Sequence, residues 1–353
     1  MVNTMSKKII LIVILGLVVL NCKNQISGEM NLTKKTKKFD WLPTECAPKP
    51  YPVEVNYGSF SLDGEIVAFI PSGGRTVKNG WGKIGSTYLV GEDFKLVPNH
   101  LDIIWISFAE NQFYKGSFEL PKEKMLELFE KGFINRLGKQ ETYSRIVCGM
   151  APGGVVAVWL LGAGKTVEIT HFKAEKTDMS MEEFNPSGIQ DRDKYVKDRI
   201  NSLDDKAKEY LKREGITYGR WTEYRKRYHW KPVFKQITER DFTSVLIDYV
   251  NGENIYTVGS NPELKQYNAL ALPKYAKLYW QDSNKNQFGC KIYFDESEVK
   301  KAFEKINQQS TNKELDLVFN VDKYNSEMKI YLKSNEDEVL LEKTKVKIFE
   351  TVN

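Results

Sequence analysis

The chain has 353 residues, 41% of them hydrophobic and 28% charged, with a formal net charge of +5. That balance excludes intrinsic disorder and collagen-like repeats over most of its length, and so small a charge on so long a chain does not imply a nucleic-acid surface. Its histidines, His100, His171 and His229, stand at no ligand spacing, so neither a metal site nor a cofactor is expected.

At the amino end, Lys7-Lys8 precede an unbroken apolar run from Ile9 to Leu20. Such a run is far shorter than the roughly 20 residues of a spanning helix, and with lysines before it reads as an export signal, residues 1–21. Val19-Leu20-Asn21-Cys22 sets a cysteine where cleavage would be followed by diacylation, which makes Cys22 the expected lipidation site. An ordinary secretory signal with a chance cysteine is the alternative. Two acyl chains are what durable attachment requires, so the expected location is the cell envelope, lipid-anchored to a membrane. Residues 22–39, with Lys34, Lys35, Lys37 and Lys38 bunched, read as a flexible tether beside that membrane. Of the remaining cysteines, Cys46, Cys148 and Cys290, at most one pair can bridge; the apolar settings of Cys148 and Cys290 favour buried thiols.

The body carries landmarks twice. Asp63-Gly64-Glu65 and Asn251-Gly252-Glu253 are hairpin-turn signals after strand-like runs. Val97-Pro98, Trp105 and Asn111-Gln112-Phe113 recur as Leu272-Pro273, Trp280 and Asn286-Gln287-Phe288 at a constant offset of 175. With a one-residue slip, Phe129-Glu130-Lys131 recurs as Phe303-Glu304-Lys305, each closing a helical pattern: Met125, Leu128, Phe129 in one and Val299, Ala302, Phe303, Ile306 in the other. Pro121 starts the first helix, and Asp295 to Glu298 is a capping box for the second. The expected fold is α+β: two tandem repeat-like halves, 40–175 and 237–353, each a mainly antiparallel sheet with one helix. A charged helical segment, 176–236, joins them. Within it a single helix over about 191–212 is expected, with Val196, Ile200, Leu203, Ala207 and Tyr210 as its apolar stripe.

Catalytic signatures fail on inspection. Gly162-Ala163-Gly164-Lys165-Thr166 lacks the first glycine of a P-loop, where Trp159 stands, and a strand rather than a helix follows it. No nucleophile, base and acid can be set at a meaningful spacing, so no catalytic residues are assigned. Two regions read as binding surfaces. The first is an insertion: Gly64 to Pro98 spans 34 residues where Gly252 to Pro273 spans 21, and the excess holds Arg75, Trp81 and Lys83 among glycines. Its alternative is Trp81 folded back as a lid on the core. The second is 218–230, where Trp221 and Arg225 lie among interleaved aromatic and basic residues that could stack on a ligand or form a structural junction.

Gly80-Trp81-Gly82, Pro98 to Trp105, Phe113-Tyr114, Leu120-Pro121 and Ala151-Pro152-Gly153-Gly154-Val155-Val156 with Trp159 together resemble the bacterial lipoproteins grouped as the domain of unknown function 2931 family. The resemblance runs from about Asp40 onward, is densest in the first half, and brings no catalytic residues with it. It implies an envelope lipoprotein of unassigned biochemistry and, by analogy, an immunity role against a secreted toxin. The expectation is a non-enzymatic, membrane-anchored binding protein with a protein partner such as a toxin; an envelope glycan-binding protein or hydrolase is the alternative.

Overall fold

A computed structural model describes residues 37–236, 241–307 and 314–351. The expected export signal and the expected lipidation site Cys22 lie outside the described residues. The fold is α+β and mostly sheet. Leu42–Cys46, Arg145–Ala151, Val155–Leu161, Lys165–Lys173, Asn254–Val258, Asp241–Tyr249, Pro273–Gln281, Gln287–Tyr293 and Lys345–Thr351 form, in that spatial order, one central sheet of nine strands. Two five-stranded sheets flank it. One runs Glu175–Thr177, Gln112–Glu119, His100–Ser107, Val53–Leu62, Glu65–Phe69; the other runs Asn268–Leu270, Tyr228–Gln236, Leu315–Val321, Met328–Lys333, Glu338–Leu340.

Each flanking sheet closes on its own part of the central sheet around a separate core. In the first, Val53, Val55 and Phe60 meet Ile146, Val156 and Val158; in the second, Leu317, Phe319 and Ile330 meet Val245, Ile247 and Leu278. The alternation along Pro273–Gln281 explains why one face is inside: Pro273, Ala276, Leu278 and Trp280 are buried and the residues between them are not. Val155–Leu161 is buried on both faces, since Val156, Val158 and Leu160 enter the first core while Ala157, Trp159 and Leu161 enter a third apolar cluster behind the sheet. Its unbroken apolar run is the signature of a strand covered on both sides.

The two long helices lie where their apolar stripes direct them. Met125, Leu126 and Phe129 of Lys122–Lys131 are buried in the first core, with Leu128 partly covered; Val299, Ala302, Phe303 and Ile306 of Glu296–Asn307 are buried in the second. Asp295 caps the second helix, accepting the Glu298 N–H at 2.9 Å. The reciprocal half of the expected capping box is absent, because the Glu298 carboxylate accepts instead from the Lys343 N–H at 2.8 Å.

Several expectations change. The helix over 191–212 is two helices, Arg192–Asn201 and Asp205–Glu214, because Asp204 turns its carboxylate onto the Ala207 N–H at 2.9 Å and starts a new helix. The stripe is divided accordingly: Val196 packs with Phe108, Phe113 and Phe184, whereas Tyr210 packs beside Tyr51 and Trp221. Short helices Met181–Phe184 and Arg220–Glu223 complete the segment, and Tyr228–Gln236 at its end is a strand. Strand Lys38–Asp40 begins inside the expected tether and pairs with Phe94–Leu96. In the hairpins, the ladder sets Trp105 opposite Tyr114 and Trp280 opposite Phe288, stacked at 5.3 Å and 5.9 Å. The sequence match of Phe113 to Phe288 is therefore one residue out of register.

Candidate functional site

The two regions singled out in the sequence meet. The loop that holds Trp81 and Lys83 reaches the turn at Gly252 and the strand that ends at Tyr249, and the Arg220–Glu223 helix rises to meet it. Asn79 pins the loop's turn by donating to the Lys83 carbonyl at 2.8 Å. Trp81 then lies edge-on to Trp159, with ring centroids 4.8 Å apart, and against Trp221 at 5.1 Å. It is 8% exposed and Trp221 4%, so the lid alternative describes Trp81 and the junction alternative describes Trp221. Gly82, at φ +69°, lies so close to the turn glycine Gly252 that a Cβ on it would enter Gly252's backbone. Lys83 completes the clasp by donating to Asp248 Oδ1 at 2.9 Å.

Arg225 works on the same seam. Its Nε donates to Glu168 Oε1 at 2.6 Å, and the neighbouring Arg227 donates to Glu253 Oε1 at 2.9 Å. That same Glu253 oxygen accepts the Glu168 N–H at 2.9 Å, so one network joins two buried carboxylates to two guanidiniums of the 176–236 segment, of which Arg227 is exposed. Sheet continuity here is thin: Lys165–Lys173 and Asn254–Val258 pair only through Lys165 with Ile255 and Thr166 with Asn254. Among the candidates Arg75 alone is exposed; its guanidinium lies 5.8 Å from the Tyr88 ring.

Above the buried tryptophans is an open groove. One hollow of about 650 Å³ is lined by Tyr210, Arg213, Tyr218, Arg220, Tyr224 and Glu296 among others, and a connecting hollow of about 490 Å³ reaches Lys49, Trp81, Lys83 and Lys274. Its charges are largely paired: Lys300 with Glu223 at 2.8 Å, Lys226 with Glu304 at 3.7 Å, and the Tyr224 hydroxyl on Glu296 at 2.9 Å. Arg213 and Arg220 each lie 5.6 Å from the Tyr210 ring, and Tyr218 is 63% exposed. Ring faces edged by guanidiniums can stack on planar or sugar groups and can accept protein side chains.

A Ser, His and Asp cluster that sequence reasoning missed lies elsewhere. Ser117 donates to Asp102 Oδ1 at 2.6 Å and its hydroxyl is 2.8 Å from His100 Nε2. The bonding order is wrong for hydrolysis, because the carboxylate holds the serine rather than the imidazole, which is 3.6 Å from it. The cluster lies on the open face of a sheet. Only the pairing of Asp102 with Ser117 brings it together, and that register is invisible in the sequence.

A buried acid next to the clasp gives a pH signature. Glu45 accepts the Ser86 N–H at 3.0 Å through Oε1, but Oε2 is buried without a hydrogen-bond partner, and burial pushes its pKa up to about 7. A carboxyl raised in the folded state contributes stability that is complete below its unfolded value near 4.5 and lost as pH rises through about 7. Stability is therefore expected to fall by about 3 kcal/mol between pH 5 and 8 on account of this residue. Denaturant melts of Glu45→Gln across that range should show a flatter slope, and an unchanged slope would dismiss Glu45 as its source.

Among the described residues no group of three or more His, Cys, Asp or Glu side chains is arranged to hold a metal ion. No curated protein and no solved structure matches the chain. A family model described as "Protein of unknown function (DUF2931)" matches residues 25–219. That stretch is more than half the sequence and takes in the first core, the inserted loop and the helices up to Gly219, and the chain accordingly belongs to the DUF2931 family.

Proposed function

We propose that the chain is a lipid-anchored protein of the bacterial cell envelope, built by internal duplication, that binds a protein partner without catalysis in the groove at the junction of its halves. Support for the duplication is the order of the strands. Glu65–Phe69, Val53–Leu62, His100–Ser107, Gln112–Glu119, Glu175–Thr177 have the same antiparallel succession as Asn254–Val258, Asp241–Tyr249, Pro273–Gln281, Gln287–Tyr293, Lys345–Thr351. Leu42–Cys46 runs parallel to Arg145–Ala151 as Tyr228–Gln236 does to Leu315–Val321, and each second strand continues into an antiparallel pair. Trp41-Leu42-Pro43 and Trp230-Lys231-Pro232 lie where the two parallel pairings begin, and both tryptophans are fully buried.

The observation that carries the binding reading is the concentration of Tyr210, Tyr218, Tyr224, Arg213 and Arg220 at one groove, since tyrosine and arginine are enriched where interfaces hold their energy. A secreted toxin is the partner suggested by family analogy. Deleting the gene is then expected to sensitise cells to a toxin-armed sibling, and a Tyr218→Ala, Arg220→Ala copy should fail to restore protection while folding normally. Full protection from that copy would remove the groove from the function. Binding of an envelope polysaccharide that depends on Tyr218, with no protein recovered, would favour the glycan alternative.

The anchor has its own test. Cys22→Ala is expected to leave an unprocessed precursor or release the protein from the membrane fraction. Fractionation unchanged by that substitution would refute lipidation at Cys22.

A further inference from the structure

We propose that the tip of the inserted loop, residues 84–94, contacts the bilayer that holds the amino end; this rests on the lipid-anchor reading. Leu89 is 84% exposed, Val90 78% and Phe94 59%, and Ile84 adds a fourth open apolar side chain. Three such residues within six positions make a patch rather than scattered surface exposure. The loop is held in this posture. The Tyr88 hydroxyl accepts the Ser72 N–H at 3.0 Å and donates to the Ser72 carbonyl at 2.8 Å, while Ser86 and Gly85 are tied to Glu45 and Thr44 at 3.0 Å each.

The tip is also fixed to the place where the chain leads toward its amino end. Phe94 pairs with Asp40 and Lys95 with Phe39, and the Lys38 ammonium bridges Glu92 across the turn. The 16 residues from Cys22 to Lys37 can extend about 50 Å at most, so a lipidated Cys22 keeps this end of the molecule within reach of the membrane. Charge agrees with that placement. Of the tip's two carboxylates, Glu92 is bridged, and Lys34 and Lys35 of the adjoining chain outnumber Asp93. An apolar turn flanked by lysines is suited to the boundary between headgroups and acyl chains.

The test uses the full anchored protein in phosphatidylethanolamine–phosphatidylglycerol vesicles, with an environment-sensitive fluorophore on Leu89→Cys. Cys46, Cys148 and Cys290 are buried and do not compete for the label. Tyr324→Cys, at a residue 73% exposed in the second half, is the reference. Emission from position 89 is expected to be blue-shifted and quenched several-fold more by brominated-chain lipids than emission from position 324. Val90→Asp with Phe94→Asp should bring the two positions level while circular dichroism is unchanged. A label at 89 as accessible to aqueous iodide as that at 324, in protein that still floats with the vesicles, would overturn the proposal. So would a blue shift without brominated-lipid quenching, which would mean contact with protein. Flotation unaffected by Cys22→Ala would instead sink the anchor reading, so the two failures are distinguishable.

Discussion

Truncating Trp81 to alanine is expected to cost about 3–5 kcal/mol of stability, measurable as a fall in the urea midpoint. The residue presents itself in the sequence as a glycine-flanked aromatic on a loop, the form of an interface anchor. In the fold its ring fills the space between Trp159 of the central sheet and Trp221 of the linker segment. Removing it would leave both rings facing a void, and Gly82 would lose the neighbour that holds it against Gly252. Retention of stability with loss of partner binding alone would reverse that assignment and return Trp81 to the surface role.

Arg225→Met is expected to cost about 1 kcal/mol more at pH 8 than at pH 5, the most that one pH unit above the Glu168 value allows. Burial already raises the Glu168 pKa to about 7 against the opposing pull of Arg225 and Arg227. Without Arg225 the value rises further, so ionising Glu168 in the fold becomes harder still. The sign follows from the raised carboxyl: its protonated form is tolerated inside, and the penalty grows as pH climbs through the folded value. Chemical denaturation of wild type and variant at both pH values tests this, and a pH-independent difference would assign the loss to packing of the Arg225 stem rather than to the charge.

Much of the fold was legible because period and landmarks agree. Met125 and Phe129, like Val299, Phe303 and Ile306, fall on helical stripes whose buried faces could be read directly. The break at Asp204 was less visible, because a capping aspartate and a solvated helical aspartate look alike until the backbone turns. Pairing of distant strands was not visible at all. Nothing local tells Tyr228–Gln236 to lie parallel to Leu315–Val321, and the preceding run of arginines and aromatics read as helix or surface. The site was legible as a set of residues and illegible as a role. Trp81, Lys83, Trp221 and Arg225 were chosen for chemistry that suits a ligand, yet each finds its partner within the chain: aromatic rings for the tryptophans, Asp248 for Lys83 and Glu168 for Arg225. Residue type reports what a side chain can bind; only topology reports what is already there to be bound.

The three described cysteines carry a consequence for reversibility. Cys46 and Cys148 lie on neighbouring strands of the central sheet and Cys290 lies in the second core, all buried and unbridged, with burial pushing the Cys46 and Cys290 thiols up to about 12. Folded, they are inert, since the thiolate is the reactive form. Unfolded, three ordinary thiols would meet whatever oxidant surrounds the chain, and any bridge that formed among them would have no counterpart in the native sheet. Each excursion out of the fold then has a chance of becoming permanent, so the lifetime of the protein in an oxidising setting is governed by how rarely its sheet opens rather than by the free energy of opening.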